Sequence, residues 1–268
     1  MSAKVHPCAL TIAGSDSGGN AGVQADLRAF HCYGVHGCTV FAALTAQNPR
    51  GVKSVMSVPA DFLADQLDAV FEMYDIRALK TGMLATAEAI EVVASKLKKF
   101  PRVKKVFDPV MVATSGAKLI ADEAIEVLRK ELLPQATLIT PNLPEAEVLL
   151  GHAVESGEGM RIAARELGKM FGCAVLVKGG HAVVEGAGAE DILFDGRRIH
   201  SFTKPVIERP ISTHGTGCSL AAALAAELAR GASLAKAVAG AKDFVYDAIR
   251  TSYLVGKNCG VLGTPRER

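Results

Sequence analysis

Tryptophan is absent from the 268-residue chain and aromatics make up only 5% of it, so its core must be built from Ala, Val, Leu and Ile. Neither sign of charge is in surplus: 30 Lys and Arg against 28 Asp and Glu leave +2. The basic residues are spread rather than bunched, which excludes the footprint of a nucleic-acid binder and favours a small-molecule partner. No CxxC pair occurs among the six cysteines, so they read as reduced thiols of a cytoplasmic protein. The longest apolar stretch, Leu220 to Ala226, is too short to cross a bilayer, and no membrane partner is expected. Residues 1–8 lack the apolar core of a signal peptide. What remains, 49% apolar and 22% charged residues, is the composition of a globular protein with a substantial core. No repeat, low-complexity tract or linker divides it, so residues 1–268 are expected to form one domain.

Short apolar runs at 8–13, 38–44, 55–58, 76–80, 105–107, 137–140 and 174–178 read as strands. Helical patterns alternate with them at 61–73, 86–99, 122–132 and 159–171, and a hairpin is expected around Asp195-Gly196. That rhythm argues for an α/β fold whose mostly parallel sheet is covered on both faces. Two helices, 219–230 and 233–253, close the chain, and the glycine- and charge-rich tail after Gly256 is expected to be partly mobile.

The chemistry centres on Ser212-Thr213-His214-Gly215-Thr216-Gly217-Cys218-Ser219, which leads into a small-residue helix. Two glycines around a threonine at a helix start leave backbone N–H groups free to cradle an anion, and the helix dipole adds to this. Cys218 at the mouth is expected to favour thiolate there. The motif alone fits equally well an ordinary helix start capped by Thr216 or Ser219. After the first strand comes Gly14-Ser15-Asp16-Ser17-Gly18-Gly19-Asn20-Ala21-Gly22. It matches neither the dinucleotide fingerprint nor a P-loop, because the glycine spacing differs and no Gly-Lys-Ser/Thr closes it. Gln47, at the end of its strand, offers a donor and an acceptor that suit an aminated heteroaromatic ring, or else caps a turn. Asp108 and Glu145 follow two further strands, where hard oxygen ligands suit Mg²⁺; each also fits a helix or turn cap. The cluster His31, Cys32, His36 and Cys38 gives no metal reading, since His31 and Cys32 are helix neighbours that face different directions. Cys8, Cys173 and Cys259 read as plain structural thiols.

Six stretches in order carry a resemblance. They are residues 13–27, Leu44-Thr45-Ala46-Gln47-Asn48, Lys80-Thr81-Gly82-Met83-Leu84, residues 139–146, Val177-Lys178-Gly179-Gly180-His181 and His214-Gly215-Thr216-Gly217-Cys218. Together, over roughly residues 8–262, they resemble the hydroxymethylpyrimidine/phosphomethylpyrimidine kinases of thiamine biosynthesis. The resemblance implies a ribokinase-like three-layer α/β/α sandwich. It also implies transfer of the ATP γ-phosphoryl to 4-amino-5-hydroxymethyl-2-methylpyrimidine, and then to its monophosphate. By the same resemblance Gln47, Gly14, Asp26, Met83 and Val110 would surround the pyrimidine, and Asp108 and Glu145 would hold Mg²⁺. Lys178 and Lys242 would lie on the nucleotide side, Gly215, Thr216 and Gly217 would form the anion hole, and Cys218 would be catalytic. His181 and His214 are expected in supporting positions. Asn20, Arg28 and Ser219 depart from the usual glycine, lysine and threonine without removing a needed group. A pyridoxal or pyridoxine kinase on the same fold is the nearest rival, followed by a non-catalytic binding homologue. The helix-rich surface with few aromatics suits a homodimer.

Overall fold

The computed structural model describes residues 5–111, 120–155, 157–180 and 188–265. The chain begins with β1 (Cys8–Asp16), α1 (Gly22–Cys32), β2 (His36–Asn48), β3 (Gly51–Ser57) and α2 (Ala60–Met73). Next come β4 (Ile76–Thr81), α3 (Ala87–Leu97), β5 (Lys104–Phe107), α4 (Asp122–Val127), β6 (Leu138–Ile139), α5 (Leu143–Leu150) and α6 (Glu158–Phe171). The last part holds β7 (Ala174–Lys178), β8 (Ala189–Phe194), β9 (Ile199–Lys204), α7 (Thr216–Ala229), α8 (Leu234–Arg250), β10 (Tyr253–Val255) and β11 (Cys259–Val261).

Among the described residues, nine strands form one sheet in the order β3-β2-β1-β4-β5-β6-β7-β8-β9. From β2 to β7 every pairing is parallel, and β3, β8 and β9 add antiparallel flanks. The buried strands read as unbroken apolar runs because helices cover both faces. One face packs on α2, α3, α4, α5 and α6 through Leu63, Ile90, Val93, Leu149 and Leu167. The other packs on α1, α7 and α8 through Phe30, Ala222, Leu224, Ala237 and Phe244. This is the expected three-layer sandwich. Helix α7 is buried almost all round, and its alanines let the sheet, α1 and α8 approach closely.

Several boundaries move: β1 runs on to Asp16 and β2 spans His36–Asn48, beyond the expected ends at 13 and 44, and β3 is Gly51–Ser57 rather than 55–58. The 122–132 helix is α4 followed by a π-turn over Leu128–Leu132. The last helix stops at Arg250 rather than running to Tyr253. The tail is not loose through Pro265, because β10 and β11 pair and the Cys32 thiol donates to the Pro265 carbonyl at 3.2 Å. Gly263 also donates its N–H to the Ala248 carbonyl at 2.9 Å.

Strand order reverses between β2 and β4, which flank β1 on its two sides. In an open parallel sheet the crevice at the carboxyl ends of strands beside such a reversal is where ligands bind.

Candidate active site

Helix α7 starts at Thr216, so Thr216-Gly217-Cys218 forms its first turn instead of a loop before it. Gly215 is the N-cap, with φ of 88°, and neither Thr216 nor Ser219 caps the helix. Thr216 donates its hydroxyl back to the Thr213 carbonyl at 3.0 Å. The N–H groups of Gly217 and Cys218 lack an acceptor one turn back inside the helix, which favours the anion-cradle reading over the capped one. A β-carbon on Gly215 would sit 2.0 Å from the Asn20 carbonyl oxygen, so only glycine lets the loop after β1 touch the cradle. That loop closes on itself: the Asp16 carboxylate accepts the N–H groups of Gly18, Asn20 and Ala21 at 2.8–2.9 Å.

A charged cluster faces the cradle. A β-carbon built on Gly217 would lie 3.6 Å from Lys178 Nζ and 3.8 Å from Asp108 Oδ2. Asp108, just past β5, accepts from Lys178 Nζ at 2.8 Å and from Thr140 Oγ1 at 2.9 Å. Lys178 Nζ also stands 4.0 Å from Glu145 Oε2. Glu145 caps α5, exchanging hydrogen bonds of 2.9 Å with Asn142, so the capping alternative holds for it. Burial pushes the Glu145 carboxyl up to about 7, with Lys178 opposing and Asp108 adding to the rise. Burial alone would lower the Lys178 ammonium, but Asp108 and then Glu145 more than offset it and hold it high. When Glu145 is ionised, one ammonium stands between two buried carboxylates and a negative charge is left uncompensated. Hard oxygen donors of that kind fit Mg²⁺, which takes few protein ligands.

Beneath Cys218 lies a second buried group, in which the sequence reading named only Asp26, as a substrate contact, and missed its pairing with Lys80. Lys80 and Asp26 are both fully buried, and Lys80 Nζ meets Asp26 Oδ2 at 2.9 Å. Thr11 donates to the same oxygen at 2.6 Å, and among the described residues Asp26 Oδ1 has no hydrogen-bond partner. Burial raises the Asp26 carboxyl against the pull of Lys80. Burial also raises the Cys218 thiol above its ordinary 9.0; Lys80 lowers it, and Asp26 and Asp108 raise it. The expected thiolate preference is therefore corrected. Desolvation outweighs the favourable field of the helix end, and the thiol form dominates.

The other expected residues divide. A β-carbon on Gly14 would touch Met83 Cε at 3.0 Å, so these two are in contact. Gln47 is half-buried, its side-chain oxygen accepting from Thr45 Oγ1 at 3.3 Å and its backbone tied to Ser17. Val110 follows Asp108 and is half-buried. Asp26 has no open face and stands under the site. Lys242 is bonded to the buried Asp191 at 2.5 Å, and Asp191 accepts the Gly179 N–H at 3.0 Å. It is joined to Lys178 through that turn and is outside the Asp108 cluster. His214 stands 3.9 Å from Asp16; His181 lies outside the described residues. A lysine inside the apolar strand 76–81 was the signal for Lys80, and the threonine closing the 137–140 run was the signal for Thr140.

Comparison with known proteins places these groups in context. A hydroxymethylpyrimidine/phosphomethylpyrimidine kinase of Rhizobium meliloti is 46% identical over 242 residues, covering 90% of each chain. A thiamine biosynthesis bifunctional protein of Geobacter sulfurreducens is 49% identical over 251 residues, 94% of this chain, which spans about half (51%) of that longer protein. Among solved structures, the ADP complex of Bacillus subtilis pyridoxal kinase superposes with a TM-score of 0.87 at 35% identity, covering 97% of this chain and 98% of that one. The family model for phosphomethylpyrimidine kinase matches residues 16–263, a span that holds the cradle, the Asp108–Lys178–Glu145 cluster and the Lys80–Asp26 pair. The chain belongs to the phosphomethylpyrimidine kinase family.

Proposed function

We propose that the chain is an ATP-dependent kinase that phosphorylates 4-amino-5-hydroxymethyl-2-methylpyrimidine and then its monophosphate, giving the diphosphate used in thiamine biosynthesis. One observation carries the reading: in a chain of this family, Gly217 in the first turn of α7 faces Lys178 and Asp108 so closely that a β-carbon on it would lie 3.6 Å from Lys178 Nζ and 3.8 Å from Asp108 Oδ2. In the reaction the acceptor oxygen bonds to the γ-phosphorus and the bond from that phosphorus to the ADP oxygen breaks. The Gly215–Cys218 amides stabilise the charge that spreads over the transferring group. Lys178, set by Asp108, adds positive charge from the side. Asp108 and Glu145 would hold Mg²⁺, directly or through water, and that ion supplies further neutralisation of phosphate charge.

The two acceptors differ. A hydroxymethyl group sheds a proton as it attacks, and Cys218 takes it up in its minor thiolate form, the form that Lys80 favours against burial. A phosphate monoester is already anionic and needs positioning instead. Gln47 reads the amino group and ring nitrogen, with Gly14, Met83 and Val110 around the ring. Asp26 supports that pocket through Lys80, and Lys242 steadies the nucleotide side through the Gly179 turn. One sheet takes strands from Cys8 to Lys204, which supports a single domain. Six free cysteines suit the reducing cytoplasm, and among the described residues no helix is long and apolar enough to cross a membrane. The exposed Val52, Val55 and Met56 of edge strand β3 and the exposed Phe62 of α2 support a homodimer.

The likeness to a pyridoxal kinase keeps that substrate as the second reading. ADP release is measured with the hydroxymethylpyrimidine, its monophosphate and pyridoxal offered separately. Turnover of the first two with pyridoxal slow is expected. Fast pyridoxal turnover with an inert monophosphate overturns the assignment.

A further inference from the structure

At the amino end of the sheet, away from the cradle, three soft ligands converge. Cys8 opens β1 and is the register partner of His36, which opens β2. Cys38 lies two residues further along β2, so it shares a sheet face with His36. The two thiols hydrogen-bond each other, and the ligand atoms of Cys8, His36 and Cys38 all lie within 4.8 Å of one another. The His36 ring stacks on Tyr74, with centroids 5.5 Å apart and planes at 16°, which restricts the imidazole to one plane. Cys38 is buried, Cys8 half-buried and His36 exposed. The set therefore has a dry floor and an open side. That side gives onto a depression of about 690 Å³, also lined by His6, His31 and Tyr74.

We propose that Cys8, His36 and Cys38 bind a thiophilic cation of the Zn²⁺ class, leaving its fourth position open to this depression. Two thiolates and one imidazole form a soft donor set of the kind that selects zinc over magnesium or calcium. The two thiolates cancel a double positive charge, so the occupied site is neutral apart from what fills the fourth position. On binding, both S–H protons pass to solvent and two sulfur–metal bonds form, with no change of oxidation state. The sequence hid the site because Cys8 is far from His36 and Cys38 along the chain and joins them only through the parallel register. The ion would staple β1 to β2 at the end opposite the chemistry, so it acts on stability and not on phosphoryl transfer.

The test uses the full chain, reduced and stripped of metal, titrated with Co²⁺ as a coloured probe and then with Zn²⁺. One Co²⁺ per chain with thiolate-to-cobalt absorption, discharged by Zn²⁺, is expected. Cys8→Ser and His36→Asn should each weaken binding by about 10-fold or more, and Cys218→Ser should leave the titration unchanged. His36 is exposed, so its replacement keeps the test valid if Cys8→Ser fails to fold. Absence of the absorption on a fully reduced chain overturns the proposal, and so does unchanged binding in His36→Asn. Loss of binding in Cys218→Ser overturns it too, as does a Cys8–Cys38 disulfide that persists under a glutathione poise.

Discussion

Replacing Lys80 by Met tests the buried pair under the cradle. Both side chains are 0% exposed and meet at 2.9 Å, and Asp26 Oδ1 already lacks a hydrogen-bond partner among the described residues. Removing one member of such a pair costs about 3–5 kcal/mol, because a buried charge is left with Thr11 alone. For a chain of this size each kcal/mol moves the melting point by about 2–4 °C, so a fall of roughly 10 °C is expected. The sign of the pH dependence follows from Asp26. Its carboxyl is raised by burial even beside Lys80, and loss of Lys80 raises it further. The folded variant then binds that proton more tightly than the unfolded chain. Its stability falls as pH rises through the raised value, and mildly acidic buffer partly restores it. Lys80 itself is held above its ordinary 10.5, the surrounding carboxylates and thiol outweighing burial. Its contribution in the parent is complete below that value and is lost only at more alkaline pH. The double variant Asp26→Leu/Lys80→Met removes both charges and should regain most of the loss. Urea unfolding of the parent, both singles and the double at mildly acidic and mildly alkaline pH gives the full cycle. A single variant within about 1 kcal/mol of the parent refutes the reasoning, as does a double no more stable than the singles.

Alkylation of Cys218 should keep accelerating as pH rises towards and past 9, since burial lifts its thiol above 9.0; a rate plateau near neutrality, followed by mass spectrometry, contradicts this. Cys218→Ala should slow phosphorylation of the hydroxymethyl acceptor more than that of the monophosphate, and equal losses in kcat argue against its role as proton acceptor. Gly215→Ala forces a side chain into a φ of 88° and against the Asn20 carbonyl. It should cost about 1–3 kcal/mol in unfolding measurements, with a larger proportional loss of turnover. Asp108→Asn should lower kcat by about 100-fold or more, and unchanged turnover would remove Asp108 from the site.

Much of the fold was readable because a parallel sheet buried on both faces leaves apolar runs such as Val175–Val177, separated by helical periodicity. The anion cradle was readable for a local reason, since glycine, threonine and glycine before a small-residue helix report on their own backbone. What stayed hidden depends on long-range neighbours. The Cys218 expectation followed the helix end and could not weigh desolvation, which outweighs it. Asp26 was assigned to the substrate because its burial beneath Lys80 is set by β1 and β4 coming together. Lys242 likewise pairs with Asp191 across 51 residues. The tail was read as loose because its anchor, Cys32, is 233 residues away.

The backbone contact between Gly215 and Asn20 has a consequence for the order of events in synthesis. Helix α7 covers β1, β4 and β5, three strands made far earlier in the chain. Until the last quarter leaves the ribosome, that sheet face is covered only where α1 lies on it, and the loop after β1 lacks its contact with Gly215. Contacts this distant in sequence form slowly, and uncovered sheet surface on a nascent chain invites association with its neighbours. A chain interrupted before Gly215 would therefore lose more than its anion site: its half-dressed sheet would be a substrate for chaperones and proteases.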